Sequence, residues 1–160
     1  MRLFAVLLAA ACASSGAACA PPAAREPSSE EGPTDWNAAQ IRWRDYDVGL
    51  AEARAQRKPI VLIFYTDWCP HCHNYSRVFF DPELAALTRS FVMIRVERDG
   101  HPELSARYAV DGEYIPRTFF LKPDGELRVE LAGDNPEYRY FLDEDEPSEL
   151  IALMQLALGR

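Results

Sequence analysis

No apolar run in this chain approaches the ~20 residues that a helix needs to cross a bilayer; the run at the amino-terminal end, Leu3 to Ala11, stops far short. Cysteine is scarce. Four in 160 residues are too few for a fold stapled together by disulfides. Basic residues are outnumbered, 17 Lys plus Arg against 25 Asp plus Glu, for a net charge of −8. Phosphate binding needs a basic face, so nucleic acid is excluded as a partner. No internal repeat is present, which excludes a solenoid. The length corresponds to one domain at about 150 residues each, too short for an enzyme with a separate cofactor lobe. What is there is ordinary for a globular protein: 48% apolar and 26% charged residues. That composition excludes disorder over the whole chain.

The first 35 residues divide into a leader (1–20) and a tether (21–35). Met1-Arg2 followed by the short apolar run and small residues reads as a secretory signal. The sequence Leu7-Leu8-Ala9-Ala10-Ala11-Cys12-Ala13-Ser14-Ser15 resembles the lipobox of bacterial lipoproteins, which implies acylation at Cys12 and a lipid anchor in the membrane. Ala9 stands where that motif usually has Leu or Val. Cleavage at Cys19, after Gly16-Ala17-Ala18, and conventional cleavage near Ala20 are the alternatives. From Ser14 to Thr34 the chain is rich in Ala, Pro, Ser and Glu without apolar periodicity. Such a stretch cannot bury enough surface to offset its ordering entropy.

Residues 36–160 form the expected folded domain. Trp36, Ile41 and Trp43 are apolar anchors at its start. Helices are expected over Tyr46–Gln56, Cys69–Phe80, Glu83–Thr88, Pro102–Tyr108 and from Ser148 onward, the third capped by Asp81 with Pro82 at its first position. Strands are expected over Ile60–Tyr65, Phe91–Val96 and Thr118–Leu121. Pro123-Asp124-Gly125 signals a turn, with Glu126–Leu131 returning as a paired strand. Alternating elements closed by a hairpin give an α/β fold, a central mixed sheet with helices on both faces.

The chemistry is concentrated in Trp68-Cys69-Pro70-His71-Cys72, where a buried strand gives way to a helix. Free N–H groups and the macrodipole at a helix start stabilise a thiolate at Cys69, and only a thiolate attacks. Cys72 lies one turn on, close enough to close a small disulfide. His71 adds positive charge or a hydrogen bond. Cys69 to His73 also fits the c-type haem attachment pattern, but the preceding strand and the later Pro116 favour redox chemistry. Zinc lacks a second Cys pair and the usual finger spacing. A purely structural disulfide closing so small a loop removes little entropy from the unfolded chain.

The strand, the Trp-Cys-x-x-Cys, and Tyr114-Ile115-Pro116-Arg117-Thr118 ahead of another strand together resemble the thioredoxin superfamily. The resemblance implies a thioredoxin fold, with Pro116 in a cis peptide bond packing against the active-site disulfide and Ile115 and Pro116 binding extended substrate. Residues Tyr114 to Gly125 and Gly133 to Phe141 are similar to the small endoplasmic-reticulum proteins of the anterior-gradient group. This likeness runs from about Trp43 to the C-terminus.

Two departures bear on the chemistry. Thioredoxins carry a buried Asp six residues before the first Cys, and here Ile63 occupies that position. Asp67, nearer the motif, reads as solvated. The Pro70-His71 pair matches the oxidase DsbA, but the interval from Cys69 to Pro116 leaves no room for the helical domain that DsbA inserts. A DsbA-like pair places the reduction potential in the upper half of the interval from about −270 mV for thioredoxin to about −120 mV for DsbA.

The expected function is that of an exported, periplasmic or cell-envelope thiol–disulfide oxidoreductase. Cys69 is the nucleophile, Cys72 resolves, His71 tunes the thiolate, and Trp68, Pro70, Ile115 and Pro116 form the substrate surface. Its partners would be cysteine-containing proteins and a second protein that recycles the dithiol, with the domain acting as a monomer. The dithiol is itself the redox group, so no metal or organic cofactor is expected. The alternative is a non-catalytic binding or chaperone module on the same fold. His73 and His101 read as surface residues, and the acidic run Asp143 to Glu146 as a solvated loop.

Overall fold

The computed structural model describes residues 35–159. The expected leader and almost all of the tether, with Cys12 and Cys19, lie outside the described residues. Four strands form one sheet: β1 (Trp43–Arg44), β2 (Ile60–Tyr65), β3 (Val92–Glu97) and β4 (Arg117–Leu121), in spatial order β1-β3-β2-β4. Strands β1, β3 and β2 run parallel, with Leu62 opposite Ile94; β4 is antiparallel to β2, with Ile63 opposite Thr118. The sheet is mixed, as expected.

Strand β2 explains the layering. Five of its six residues, Ile60–Phe64, are fully buried, as a central strand covered on both faces must be. Side chains alternate between faces. Val61 and Ile63 join the core under α2 (Pro70–Val78), α3 (Pro82–Leu87) and α5 (Ser148–Ala157). Ile60, Leu62 and Phe64 join the core under α1 (Tyr46–Gln56) and α4 (Pro102–Arg107). Gly49 lets α1 lie close on β3: a Cβ there would meet the Ile94 side chain at 2.4 Å. Proline occupies the start of α2, α3 and α4, where a missing N–H costs nothing. Asp81 caps α3 as expected, accepting from the backbone N–H groups of Glu83 and Leu84. Trp36 is buried and packs edge-on against Trp43, Tyr65 and Tyr75.

The expected return strand Glu126–Leu131 does not form. It is reduced to one antiparallel bridge, Leu121 to Leu127. Arg128 N–H donates to the Phe120 carbonyl at 2.8 Å, after which Leu131 N–H turns back onto the Arg128 carbonyl. Further along this edge, Thr118 N–H donates to the Tyr140 carbonyl at 2.8 Å. With an edge donor satisfied by this later segment, the hairpin need not continue.

Candidate active site

Strand β2 ends at Tyr65, and Cys69 N–H folds back onto the Thr66 carbonyl at 3.4 Å. This turn delivers Cys69 to the N-cap of α2, with extended backbone (φ −86°, ψ 116°). The Cys69 sulfur accepts from Cys72 N–H at 3.4 Å, so a side chain that caps the helix is also the candidate nucleophile. The first turn of α2 holds no acidic residue to compete for the positive helix end. Both thiols are free and buried, at 3% and 1% exposure.

The two sulfurs are not equivalent. Burial pushes the Cys72 thiol far above the ordinary range. Its hydrogen bond with Cys69 adds to the rise and a backbone contact from Thr66 opposes it, while the Cys69 and Glu144 charges contribute further. Cys72 is therefore held as a thiol, while Cys69 sits at the helix end.

The loop before β4 closes on Cys69 from the other side. The Ile115–Pro116 bond is cis, and the Cys69 thiol points at the Ile115 carbonyl at 3.9 Å. Ile115 and Pro116 are buried beside the dithiol. Trp68 is 63% exposed. Its indole N–H donates to Asp99 at 2.8 Å, and the Arg98 guanidinium lies 5.6 Å above its ring. Pro70 is the exposed first residue of α2. Ile63 is fully buried, so the position of the thioredoxin carboxylate is apolar here, and Asp67 is exposed. His73 bonds the Asp67 carbonyl and His101 the Glu97 carbonyl, both local contacts.

Two residues of consequence escape a reading of the sequence. The acidic run is more than a solvated loop: Glu144 reaches the helix that carries the dithiol. Its carboxylate meets His71 Nδ1 at 2.8 and 3.0 Å and accepts from Asn74 Nδ2 at 3.1 Å. The second is Arg117, directly after Pro116, which is fully buried. It donates to the Tyr108 and Gly112 carbonyls at 3.3 and 2.8 Å and to the Ser105 hydroxyl. No local pattern marks either residue, because their partners lie far away in sequence or in a neighbouring loop.

Comparison with known proteins supplies independent findings. Residues 40–123 match the model of a family described as thioredoxin-like. Anterior gradient protein 2 of Xenopus laevis is 28% identical over 160 aligned residues, covering 84% of this chain and 85% of that protein. Anterior gradient protein 1 of Xenopus tropicalis is 33% identical over 121 residues, covering 74% of this chain and 63% of the relative, so the chain spans a little under two thirds of that protein's length. A solution structure of a thioredoxin from Thermus thermophilus superposes with a TM-score of 0.56 at 27% identity, over 76% of this chain and 94% of that one.

Proposed function

The chain belongs to the thioredoxin-like family, and from that premise we propose that it is a thiol–disulfide oxidoreductase acting on cysteine-containing proteins through Cys69 and Cys72. One observation carries the reading: the Cys69 sulfur caps α2, 3.4 Å from Cys72 N–H, with the Ile115 carbonyl 3.9 Å away on the other side. The nucleophile, its resolving partner and a substrate-facing loop meet at one helix end.

The reaction follows from the division of roles. The Cys69 thiolate attacks one sulfur of a substrate disulfide; the substrate S–S bond breaks and its other sulfur leaves as a thiolate. The product is a mixed disulfide between Cys69 and substrate. Cys72 passes its proton to the departing sulfur and attacks Cys69, forming the Cys69–Cys72 disulfide and freeing the second substrate thiolate, which takes up a proton from solvent. Two electrons and two protons reach the substrate. The same steps reversed put a disulfide into a dithiol. His71 lies at the site's rim, and Trp68, Pro70, Ile115 and Pro116 form the surface along which an extended client lies. A second redox protein returns the dithiol to its starting state.

We place this activity outside the cytoplasm, in the periplasm or cell envelope, through the amino-terminal leader, with lipid on Cys12 holding the domain at a membrane. Labelled lipid on the wild type and none on Cys12→Ala supports this; lipid on Cys19, or a soluble form beginning after Ala20, contradicts it. The catalytic reading is tested by insulin reduction in dithiothreitol. The protein is expected to accelerate precipitation of the insulin B chain. No acceleration would leave a binding module in its place.

A further inference from the structure

Glu144 belongs to a segment that sequence patterns leave without a role, yet the structure fixes it firmly. The segment is tied to β4 through Thr118 N–H and the Tyr140 carbonyl at 2.8 Å. It is also tied to the loop preceding Pro116: Arg139 N–H donates to Asp111 at 2.8 Å, and Tyr140 N–H to the Tyr114 hydroxyl at 3.0 Å. The acidic run itself is a built turn. Asp143 accepts from the N–H groups of Asp145 and Glu146 at 2.9 and 3.1 Å, and Asp143 N–H donates to Glu149 at 2.7 Å. Asp143, Asp145 and Glu146 are exposed, whereas the Glu144 side chain is only 16% exposed and turns inward onto α2. Phe141 packs against the His71 ring from the same segment, 5.7 Å away and edge-on.

We propose that Glu144 is a positioning residue of the dithiol: by holding His71 and setting a carboxylate beside the start of α2, it makes the Cys69–Cys72 disulfide a weaker oxidant than the Pro70-His71 pair alone would. The attacking thiolate exists only in the reduced form; the disulfide carries no charge. Anything that stabilises that thiolate stabilises the reduced form and strengthens the disulfide as an oxidant. The helix end and a protonated His71 both act in that direction. Glu144 acts the other way: its carboxylate, 2.8 Å from His71 Nδ1, offsets positive charge at that ring and disfavours a thiolate beside it. Glu144 also counts among the charges that disfavour ionisation of Cys72. The thioredoxin position for a carboxylate is the apolar Ile63, fully buried. The Glu144 carboxylate comes instead from the segment after β4 and meets the dithiol's helix at His71 and Asn74.

The inference rests on the redox reading above, but its test does not depend on turnover. The full chain is equilibrated with mixtures of reduced and oxidised glutathione. In this equilibrium the protein disulfide plus two glutathiones gives the protein dithiol plus glutathione disulfide. The dithiol fraction is read by mass after alkylation. Glu144→Gln, which keeps the shape and loses the charge, is expected to move the equilibrium constant about 3- to 10-fold toward the dithiol, tenfold being about 30 mV. Glu144→Asp, which keeps the charge, should shift it less than Gln does. His71→Gln, which leaves Glu144 unbalanced, should move it the opposite way, and the double variant should fall between the two singles. A Glu144→Gln constant within twofold of wild type, or a shift toward the disulfide, overturns the proposal. Failure to reduce insulin alongside a normal Glu144→Gln shift would instead count against the catalytic reading.

Discussion

On the sheet face covered by α2, α3 and α5, the buried polar groups include two thiols and the Tyr75–Thr118 hydroxyl pair, 2.8 Å apart. On the face covered by α1 and α4 there is instead a guanidinium, that of Arg117, lying 5.1 Å from the Phe64 ring and 5.8 Å from the Phe119 ring. Among the described residues it has no carboxylate partner, and burial holds its pKa below the usual arginine range. Burying an unpaired charge is unfavourable unless its hydrogen bonds are made. Those of Arg117 fasten the chain at Ser105, Tyr108 and Gly112 to the residue that follows Pro116. The first face ends in the two thiols of the candidate site. The second carries a buried charge held by hydrogen bonds to Tyr108, Gly112 and Ser105. The candidate site and the buried guanidinium lie on opposite faces of one sheet, and the Ile115–Pro116–Arg117 segment joins them.

That separation can be broken experimentally. Cys69→Ser, which keeps a side chain able to cap α2, should return insulin reduction to the uncatalysed rate while leaving the thermal midpoint nearly unchanged, measured by turbidity and calorimetry. A large fall in the midpoint would mean that the dithiol also supports the fold. Arg117→Met should do the converse. It leaves a buried carbonyl, a part-buried carbonyl and a buried hydroxyl without their donor, at a cost of about 2–4 kcal/mol in urea unfolding. Its glutathione equilibrium should stay within twofold of wild type. Stability equal to wild type would show that the guanidinium is dispensable. The smallest effect is expected at the sheet's edge, far from both. Arg44 bonds Glu52 at 2.6 Å and lowers its pKa, outweighing the opposing effect of desolvation. Because the folded value is depressed, this contribution is present above the ordinary glutamate value of 4.5 and is lost as pH falls through the lowered one. Glu52→Gln should therefore flatten the acid limb of the stability profile, by no more than about 1 kcal/mol for a pair so near solvent. An unchanged acid limb would remove Glu52 from that account.

Much of the fold is legible in the sequence where local signals agree. Strand Ile60–Tyr65 and helix Tyr46–Gln56 have the expected boundaries because a continuous apolar run follows a helix stopped before Pro59. Cys69 and Cys72 are legible because strand, helix start and spacing coincide in five residues. Pro116 needs the family resemblance, since its place just ahead of the strand Thr118–Leu121 gains meaning only beside the Trp-Cys-x-x-Cys. The return strand at Glu126–Leu131 was expected from a sound turn signal, but Tyr140 competes for the same edge from further along the chain. Glu144 and Arg117 are illegible for a related reason. A charge run reads as solvated, and an arginine as exposed, until tertiary closure brings a partner that sequence spacing does not encode.

The central claim, that Cys69 attacks and Cys72 resolves, is tested most directly by trapping. Cys72→Ser and Cys69→Ser variants are incubated with a disulfide-bearing client protein and separated on non-reducing gels. Cys72→Ser should accumulate a mixed disulfide that reductant dissolves, with mass spectrometry placing the bond at Cys69, and Cys69→Ser should accumulate almost none. Equal trapping by the two variants, or trapping by Cys69→Ser alone, would contradict the assignment.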